Sequence, residues 1–393
     1  MSLLGLTFAY LLERPFAATL NALLLALGIA TVSALLLFGA QMQDRLGRDA
    51  RGIELVVGAK GSPLQLVLSA VYHADIPTGN IRLADAQALI DHPQVRRVVP
   101  LALGDSASGV RIVGTDHRYP ELYGANLAEG RLWDAPLEVT LGATAAQRMG
   151  LAVEDTFESV HGFAPGGPGH EEHYKVVGIF AATGTVLDRL ALTSMESVWD
   201  VHEGHGLPQA EGTREITALL LAFKSPVAAL TLPRLINQTT PMMAASPAFE
   251  AARLFSLMGV GLDVLRGFGA LLIVSAGLGV LVALGNALER RRGDLAILRC
   301  LGAPPRWILG QLLLEGLLLT GAGVLLGLLL GHGAVELLGR ALPQARDLGL
   351  TGGLFLWEEL WLALGALGLG VLAALPAGWR AYRSDVAKVL SAG

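Results

Sequence analysis

Five of the nine histidines fall within one stretch of the chain: His161, His170, His173, His202 and His205. Four of them make two pairs with three-residue spacing, His170-Glu171-Glu172-His173 and His202-Glu203-Gly204-His205. On a helix that spacing brings both imidazoles to one face, where nitrogen and carboxylate donors suit zinc. His170, His173, His202 and His205 are therefore the candidate metal ligands, for a regulatory or transported ion. Neither pair is His-Glu-x-x-His, the arrangement of zinc proteases. The first pair also follows Gly162-Phe163-Ala164-Pro165-Gly166-Gly167-Pro168-Gly169, a loop composition in which spacing does not imply helical geometry. A solvated polar loop is the competing reading.

Other candidates for chemistry are weaker. Leu55-Val56-Val57-Gly58-Ala59-Lys60-Gly61-Ser62-Pro63 contains Gly-Lys-Gly-Ser, but a phosphate loop needs Gly, four residues, then Gly-Lys-Ser/Thr opening a helix. Lys60 precedes Gly61, so the spacing fails, and the segment reads as a turn or a partner surface. No Gly-x-Ser-x-Gly nucleophile elbow occurs. Glu171/Glu172 and Glu358/Glu359 are adjacent, so in extended chain they point apart and make poor acid/base pairs. Cys300, the single cysteine, reads as structural, since it can form neither an internal disulfide nor a multi-cysteine metal site. No catalytic residue and no bound cofactor, zinc aside, follows from these motifs, and an ATPase driving this protein would be another polypeptide.

The elements that carry these residues are set by composition. The chain has 393 residues, 52% hydrophobic and only 16% charged, against about 25% charged in soluble domains. That excludes a disordered or highly charged polypeptide and points to long apolar segments. A net charge of -5 gives no electrostatic reason to expect nucleic acid. A bilayer core needs roughly 20 apolar residues in a helix, and four segments qualify: 17–40, 267–288, 307–335 and 360–378. The third carries Glu315 near its start and His332 near its end. Its Gly323, Gly327 and Gly331 recur every four residues, a spacing that lets a second helix approach closely in lipid. The first apolar stretch is longer than a signal peptide requires, and Phe38-Gly39-Ala40 is a poor cleavage site, so it is expected to stay attached.

Orientation follows the basic residues. Arg290, Arg291, Arg292, Arg299 and Arg306 lie between spans two and three, and Arg380, Arg383 and Lys388 follow span four. Both regions are expected in the cytoplasm of a bacterial inner-membrane protein. The expected order is a cytoplasmic segment 1–16, span one 17–40, a periplasmic α+β domain with stalks 41–255, and stalk plus span two 256–288. A cytoplasmic coupling loop 289–306, span three 307–335, a periplasmic loop 336–359, span four 360–378 and a cytoplasmic tail 379–393 complete it. Within the insert, short strand-like runs at 53–57, 95–99, 110–113, 176–180 and 216–223 alternate with helical patterns at 83–90 and 143–149.

The cassette Arg290-Arg291-Arg292-Gly293-Asp294-Leu295-Ala296-Ile297-Leu298-Arg299-Cys300-Leu301-Gly302-Ala303-Pro304-Pro305-Arg306-Trp307-Ile308, followed by Glu315, resembles the signature of FtsX/MacB-type ABC transporter permeases. In that family Arg-x-x-Glu and a hydrophobic stretch precede a Leu-Gly-Ala turn and a helix with an early Glu; Asp294 stands where Glu is more frequent. Leu375-Pro376-Ala377-Gly378-Trp379-Arg380-Ala381, with Asp385-Val386-Ala387-Lys388-Val389-Leu390, is similar to the family's ending, lacking its later proline. The resemblance spans the whole chain and implies a four-helix membrane protein with a MacB-like periplasmic core domain. It implies a separate ABC ATPase subunit, a second permease copy as homodimer or heterodimer, membrane lipids around the spans, and a periplasmic adaptor or binding protein. Gly302, Ala303, Pro304, Pro305 and Arg306 become the candidate ATPase-coupling residues, and Gly323, Gly327 and Gly331 the packing stripe. The leading expectation is mechanotransmission onto periplasmic or membrane cargo. The alternatives are a component of a zinc-linked transport system and an FtsX-like regulator of a periplasmic cell-wall hydrolase.

Overall fold

The computed structural model describes residues 3–13, 15–162, 169–203, 214–342, 345 and 348–383. His205 and the terminal motif from Asp385 to Leu390 lie outside the described residues. The chain divides into two compact units, residues 1–42 with 257–393, and residues 43–256.

The first unit is helical. A short α1 (Leu3–Leu12) precedes α2 (Pro15–Asp49); α3 to α8, with α5 at Arg118–Leu122, belong to the insert; then come α9 (Pro247–Arg290), α10 (Arg292–Cys300), α11 (Pro305–Ala341) and α12 (Trp357–Tyr382). The helices α2, α9, α11 and α12 are long and apolar enough to cross a membrane. Each extends beyond the apolar window that marks it in sequence. In α2 the continuation carries Asp44, Arg45, Arg48 and Asp49, whose i,i+4 pairs (Arg48 to Asp44 at 3.3 Å, Arg45 to Asp49 at 3.4 Å) sustain a helix without apolar character. Pro305 opens α11 at its first turn, where a missing N–H costs nothing. The segment 1–16 holds a helix, α1, that apolar-run counting passes over because it is only ten residues long.

The insert is built on a mixed ten-stranded sheet, ordered β12-β1-β11-β3-β4-β9-β6-β8-β5, with β7 bridging β3 and β8. The strands are β1 (Leu55–Ala59), β3 (Val95–Ala107), β4 (Val110–Gly114), β5 (Leu127–Gly130), β6 (Glu138–Leu141), β7 (Thr156–His161), β8 (Gly169–Phe180), β9 (Leu190–Thr193), β11 (Ala218–Phe223) and β12 (Met242–Ala245). A separate ribbon pairs β2 (Ile81–Arg82) with β10 (Glu215–Ile216). Side chains alternate across the pleat: Val56 and Leu220 enter one core, Leu55, Val57, Leu219 and Leu221 the other. Helices α4 (Leu83–Ile90) and α8 (Pro226–Thr239) lie with the second core; α3 (Pro63–Ala70) lies with the first. A third core lies under β4, β6 and β8, with α6 (Ala143–Met149) and the inner face of α7 (Met195–Glu203). The Lys60 segment is a strand-to-helix turn: Ser62 caps α3, its hydroxyl accepting from the Gln65 amide at 3.4 Å, and Pro63 takes the first helical position.

Within this unit the last turns of α2 are fixed to the sheet domain by buried charge. Arg45 donates to the Gly184 and Thr185 carbonyls, both at 3.3 Å, and Asp49 lies 3.7 Å from Arg189. Tyr123 Oη donates to the Asp49 carbonyl at 2.8 Å. After α2 the chain reaches β1 through residues 50–54, and β12 leads through Ser246 alone into α9. β1 and β12 are antiparallel partners, Val56 opposite Ala245 and Val57 opposite Ala244.

Candidate functional site

The segment between α9 and α11 is the most elaborated part of the helical unit. Residues 292–300, expected as loop, form the helix α10, followed by a four-residue turn. Gly302 has φ +100, a conformation that disfavours a Cβ, and its amide donates to the Arg299 carbonyl at 3.1 Å. The Ala303 amide donates to the Leu298 carbonyl at 3.0 Å, Pro304 is extended (φ -72, ψ 151), and Pro305 starts α11. Leu295 and Ala296 are buried, whereas Ile297 and Leu301 are 54% and 79% exposed. Four residues apart, these last two share a face, so the turn presents an apolar patch beside exposed Arg306.

Arg291, at the junction of α9 and α10, is buried and holds this segment to its neighbours. One guanidinium nitrogen lies 3.3 Å from Glu315 Oε2 on α11; the other donates to the Tyr10 carbonyl at 3.1 Å and lies 3.4 Å from Glu13 Oε2. The guanidinium carbon also sits 3.8 Å from the centre of the Tyr10 ring, a cation–π contact that suits a desolvated arginine. An apolar cavity of about 460 Å3 adjoins this cluster, lined among others by Asn21, Val282 and Leu319. The role of Glu315 as an early Glu of the third span was legible in sequence. Tyr10 and Glu13 were not, since nothing in their own spacing singles them out.

About 25 Å farther along α11, His332 Nε2 lies 3.0 Å from Glu359 Oε1 and its Nδ1 donates to the Gly352 carbonyl at 2.7 Å. Ser33 of α2 donates to the same carboxylate oxygen, and the Leu356 amide donates to Glu359 Oε2 at 3.0 Å. Glu359 is fully buried, so Glu358/Glu359 divide into a solvent-facing residue and a bundle-facing one. Between the two polar clusters the glycine stripe lies against α2. A Cβ at Gly327 would come 2.6 Å from Ile29 Cβ and 2.8 Å from the Ala26 carbonyl; at Gly323 it would meet Leu25, and at Gly331 the Ala30 carbonyl and Ser33. Such backbone proximity is what small residues permit between helices in lipid.

Of the two histidine pairs, the first lies on a strand, and the second is described only at His202. His170 and His173 lie in the strand β8, where residues sharing a face are two apart, so the one-face argument for a pair three apart does not hold. His173 is exposed, with Nδ1 3.8 Å from Glu158 Oε1. His202 is helical, in α7, and the residue the fold brings to it is His161. Cys300 is exposed at the end of α10.

Comparison with known proteins bears on the whole arrangement. The profile of the MacB-like periplasmic core domain matches residues 18–232, and that of the FtsX-like permease C-terminal domain matches residues 266–386. The chain belongs to the MacB/FtsX family of ABC transporter permeases. Among solved structures, the periplasmic region of MacB from Actinobacillus actinomycetemcomitans is 15% identical, covering 52% of this chain and 95% of its own, with a TM-score of 0.35. The extracellular domain of the noncanonic ABC-type transporter YknZ from Gram-positive bacteria is 13% identical, covering 49% of this chain and 99% of its own, with a TM-score of 0.31. A comparison with curated proteins returned no match. MacB/FtsX permeases are membrane proteins with an extracytoplasmic domain and work with ABC ATPase partners.

Proposed function

We propose that this permease transmits ATP hydrolysis by a separate ATPase subunit to movement of its periplasmic domain, which acts on periplasmic or membrane cargo. The observation that carries this reading is α10 with its turn: Ile297 and Leu301 form an exposed apolar patch on an otherwise charged segment, and Arg291 ties the base of that helix to α1 and α11. A patch free to be covered, on a helix that is not free to swivel, suits docking to an ATPase groove. The charge distribution of the loops supports an inner-membrane protein with both termini and α10 on the cytoplasmic side, where an ATPase subunit would dock. The exposed apolar faces of α9 and α12 face lipid or a second permease copy, identical or homologous.

The test is reconstitution of the full-length permease with its ATPase subunit in liposomes, comparing wild type with an Ile297→Asp/Leu301→Asp variant. Loss of ATPase binding and of permease-dependent stimulation, with membrane insertion intact, is the expected result. Unchanged binding and stimulation would overturn the assignment of α10 as the coupling element.

A further inference from the structure

The three residues Asp105, His161 and His202 are far apart in sequence and come together only through the fold of the periplasmic domain. One donor atom from each lies within 4.8 Å of the other two. Asp105 Oδ1 is 3.4 Å from His161 Nδ1 and 3.6 Å from His202 Nε2, and the two imidazole centres are 5.4 Å apart, inclined at 67°. We propose that these side chains form a site for one divalent transition-metal ion of the zinc class.

The backbone arranges the set in a way that plain surface chemistry would not need. In β3 the register against β4 shifts between Leu103 and Ser106, so that Gly104 and Asp105 together oppose the single residue Ile112. Such a bulge re-aims a side chain. On its other edge β3 pairs with β7, with Asp105 directly opposite His161. Helix α7 delivers His202, whose ring lies over Gly104: a Cβ there would be in ordinary van der Waals contact with Nε2, at 3.7 Å. The Asp105 side chain is 1% exposed, while His161 and His202 are 55% and 37% exposed, so the carboxylate forms the floor and the imidazoles the walls of a solvent-accessible notch.

The donor chemistry fits. His202 Nδ1 is 2.7 Å from the Val198 carbonyl, which can only accept, so Nδ1 carries a hydrogen and in the neutral ring Nε2 is the nitrogen with a lone pair for a metal. Fixing the second ring nitrogen of a ligating histidine on a backbone carbonyl is how metal sites set tautomer and ring orientation. Bonds of about 2.0–2.2 Å in a tetrahedral zinc site place neighbouring donors about 3.3–3.6 Å apart. The two carboxylate–imidazole distances are close to that, and longer than the 2.7–2.9 Å of a charge-assisted hydrogen bond. Among the described residues two imidazoles and one carboxylate supply three donors, and a fourth position can be taken by water or by a donor from another protein. An ion held in this way is exchangeable, which suits sensing or handing over a metal, not stapling a fold. The inference does not depend on ATPase coupling.

The experiment uses full-length permease purified in detergent without a histidine tag, dialysed against zinc alone, with bound metal measured by mass spectrometry. Wild type should hold one equivalent at micromolar free zinc. Cobalt in its place should give the intense visible bands of a four-coordinate site, displaced by zinc. His161→Ala and His202→Ala should each weaken binding by more than about 100-fold, since losing a direct ligand exceeds the loss of an outer-shell partner. His92→Ala and the His170→Ala/His173→Ala double variant should keep the equivalent. Three results would overturn the site: no tightly bound zinc and no cobalt bands in the wild type, an equivalent that persists in His161→Ala/His202→Ala, or one that is lost only with His170 and His173. The wild-type cobalt spectrum needs no variant to fold, and His161 and His202 are exposed.

Discussion

Arg291 and Glu315 lie 3.3 Å apart with both side chains buried, and the same guanidinium donates to the Tyr10 carbonyl, so one arginine joins three helices at the base of α10. Removing either partner leaves the other as a buried charge, which costs about 3–5 kcal/mol, whereas replacing both with apolar side chains of similar volume costs far less. Arg291→Ala and Glu315→Ala should each lower the unfolding midpoint markedly, and Arg291→Met/Glu315→Met should recover most of the loss. Thermal unfolding in detergent distinguishes this from a surface pair, for which all three variants would behave alike.

The stripe on α11 makes a graded prediction. Gly327→Leu forces Ile29 and the Ala26 carbonyl apart, and overpacking of this kind costs about 1–3 kcal/mol or more where backbone must move. Gly333→Leu, on the same helix with nothing within 4 Å of its added Cβ, should be nearly neutral. Proteolytic stability of the two variants in membranes reads the difference; equal sensitivity would mean that the α2–α11 contact does not hold the bundle.

In the insert, burial first, and then the charges of Arg111 and Arg189, hold the His73 imidazole well below its ordinary range; its Nε2 lies 2.9 Å from the Tyr119 hydroxyl. The folded state therefore keeps His73 neutral while the unfolded chain takes up a proton near the usual value. The associated stability is fully present above about pH 6.5 and is lost as the pH falls below it. Between about pH 7.5 and about pH 5.5 the loss from this residue is about 1.4 kcal/mol. Urea unfolding of wild type should show a steeper decline over that window than His73→Phe, and parallel curves would refute the assignment.

At the other end of α2, Arg45→Ala removes the two carbonyl contacts at residues 184 and 185 and leaves Asp49 facing Arg189 alone. A cost of about 3 kcal/mol is expected for breaking a buried network of this kind. Hydrogen exchange should speed up at the amides of residues 43–50. Exchange unchanged from wild type would mean that the end of α2 does not depend on these contacts.

The parts of this permease that sequence made legible are those governed by local rules. Apolar runs marked the four long helices, the third despite Glu315, Pro304-Pro305 and Gly302 marked the turn, and Gly323, Gly327 and Gly331 marked a face. The continuations of spans one and two expected as stalks are helical, in α2 to Asp49 and in α9 from Pro247, and in α2 the local pair Arg45–Asp49 and the tertiary contact of Asp49 with Arg189 support it. Three-residue spacing brings two residues to one face only on a helix; His170 and His173 lie on a strand, whereas His202 is helical and His205 lies outside the described residues. Asp105 carried no signal at all, because its importance rests on a register shift in β3 and on two residues brought from distant positions.

The pairing of β1 with β12 has one more implication. The first strand after α2 and the last strand before α9 are neighbours in a single ladder, and adjacent strands run about 4.8 Å apart. The insert thus begins and ends at almost the same place, as domains tolerated inside a host chain do. A protein with its entry and exit so close is a module: it can be exchanged for another of different size, or circularised by a short linker, without asking the helices on either side to change their separation.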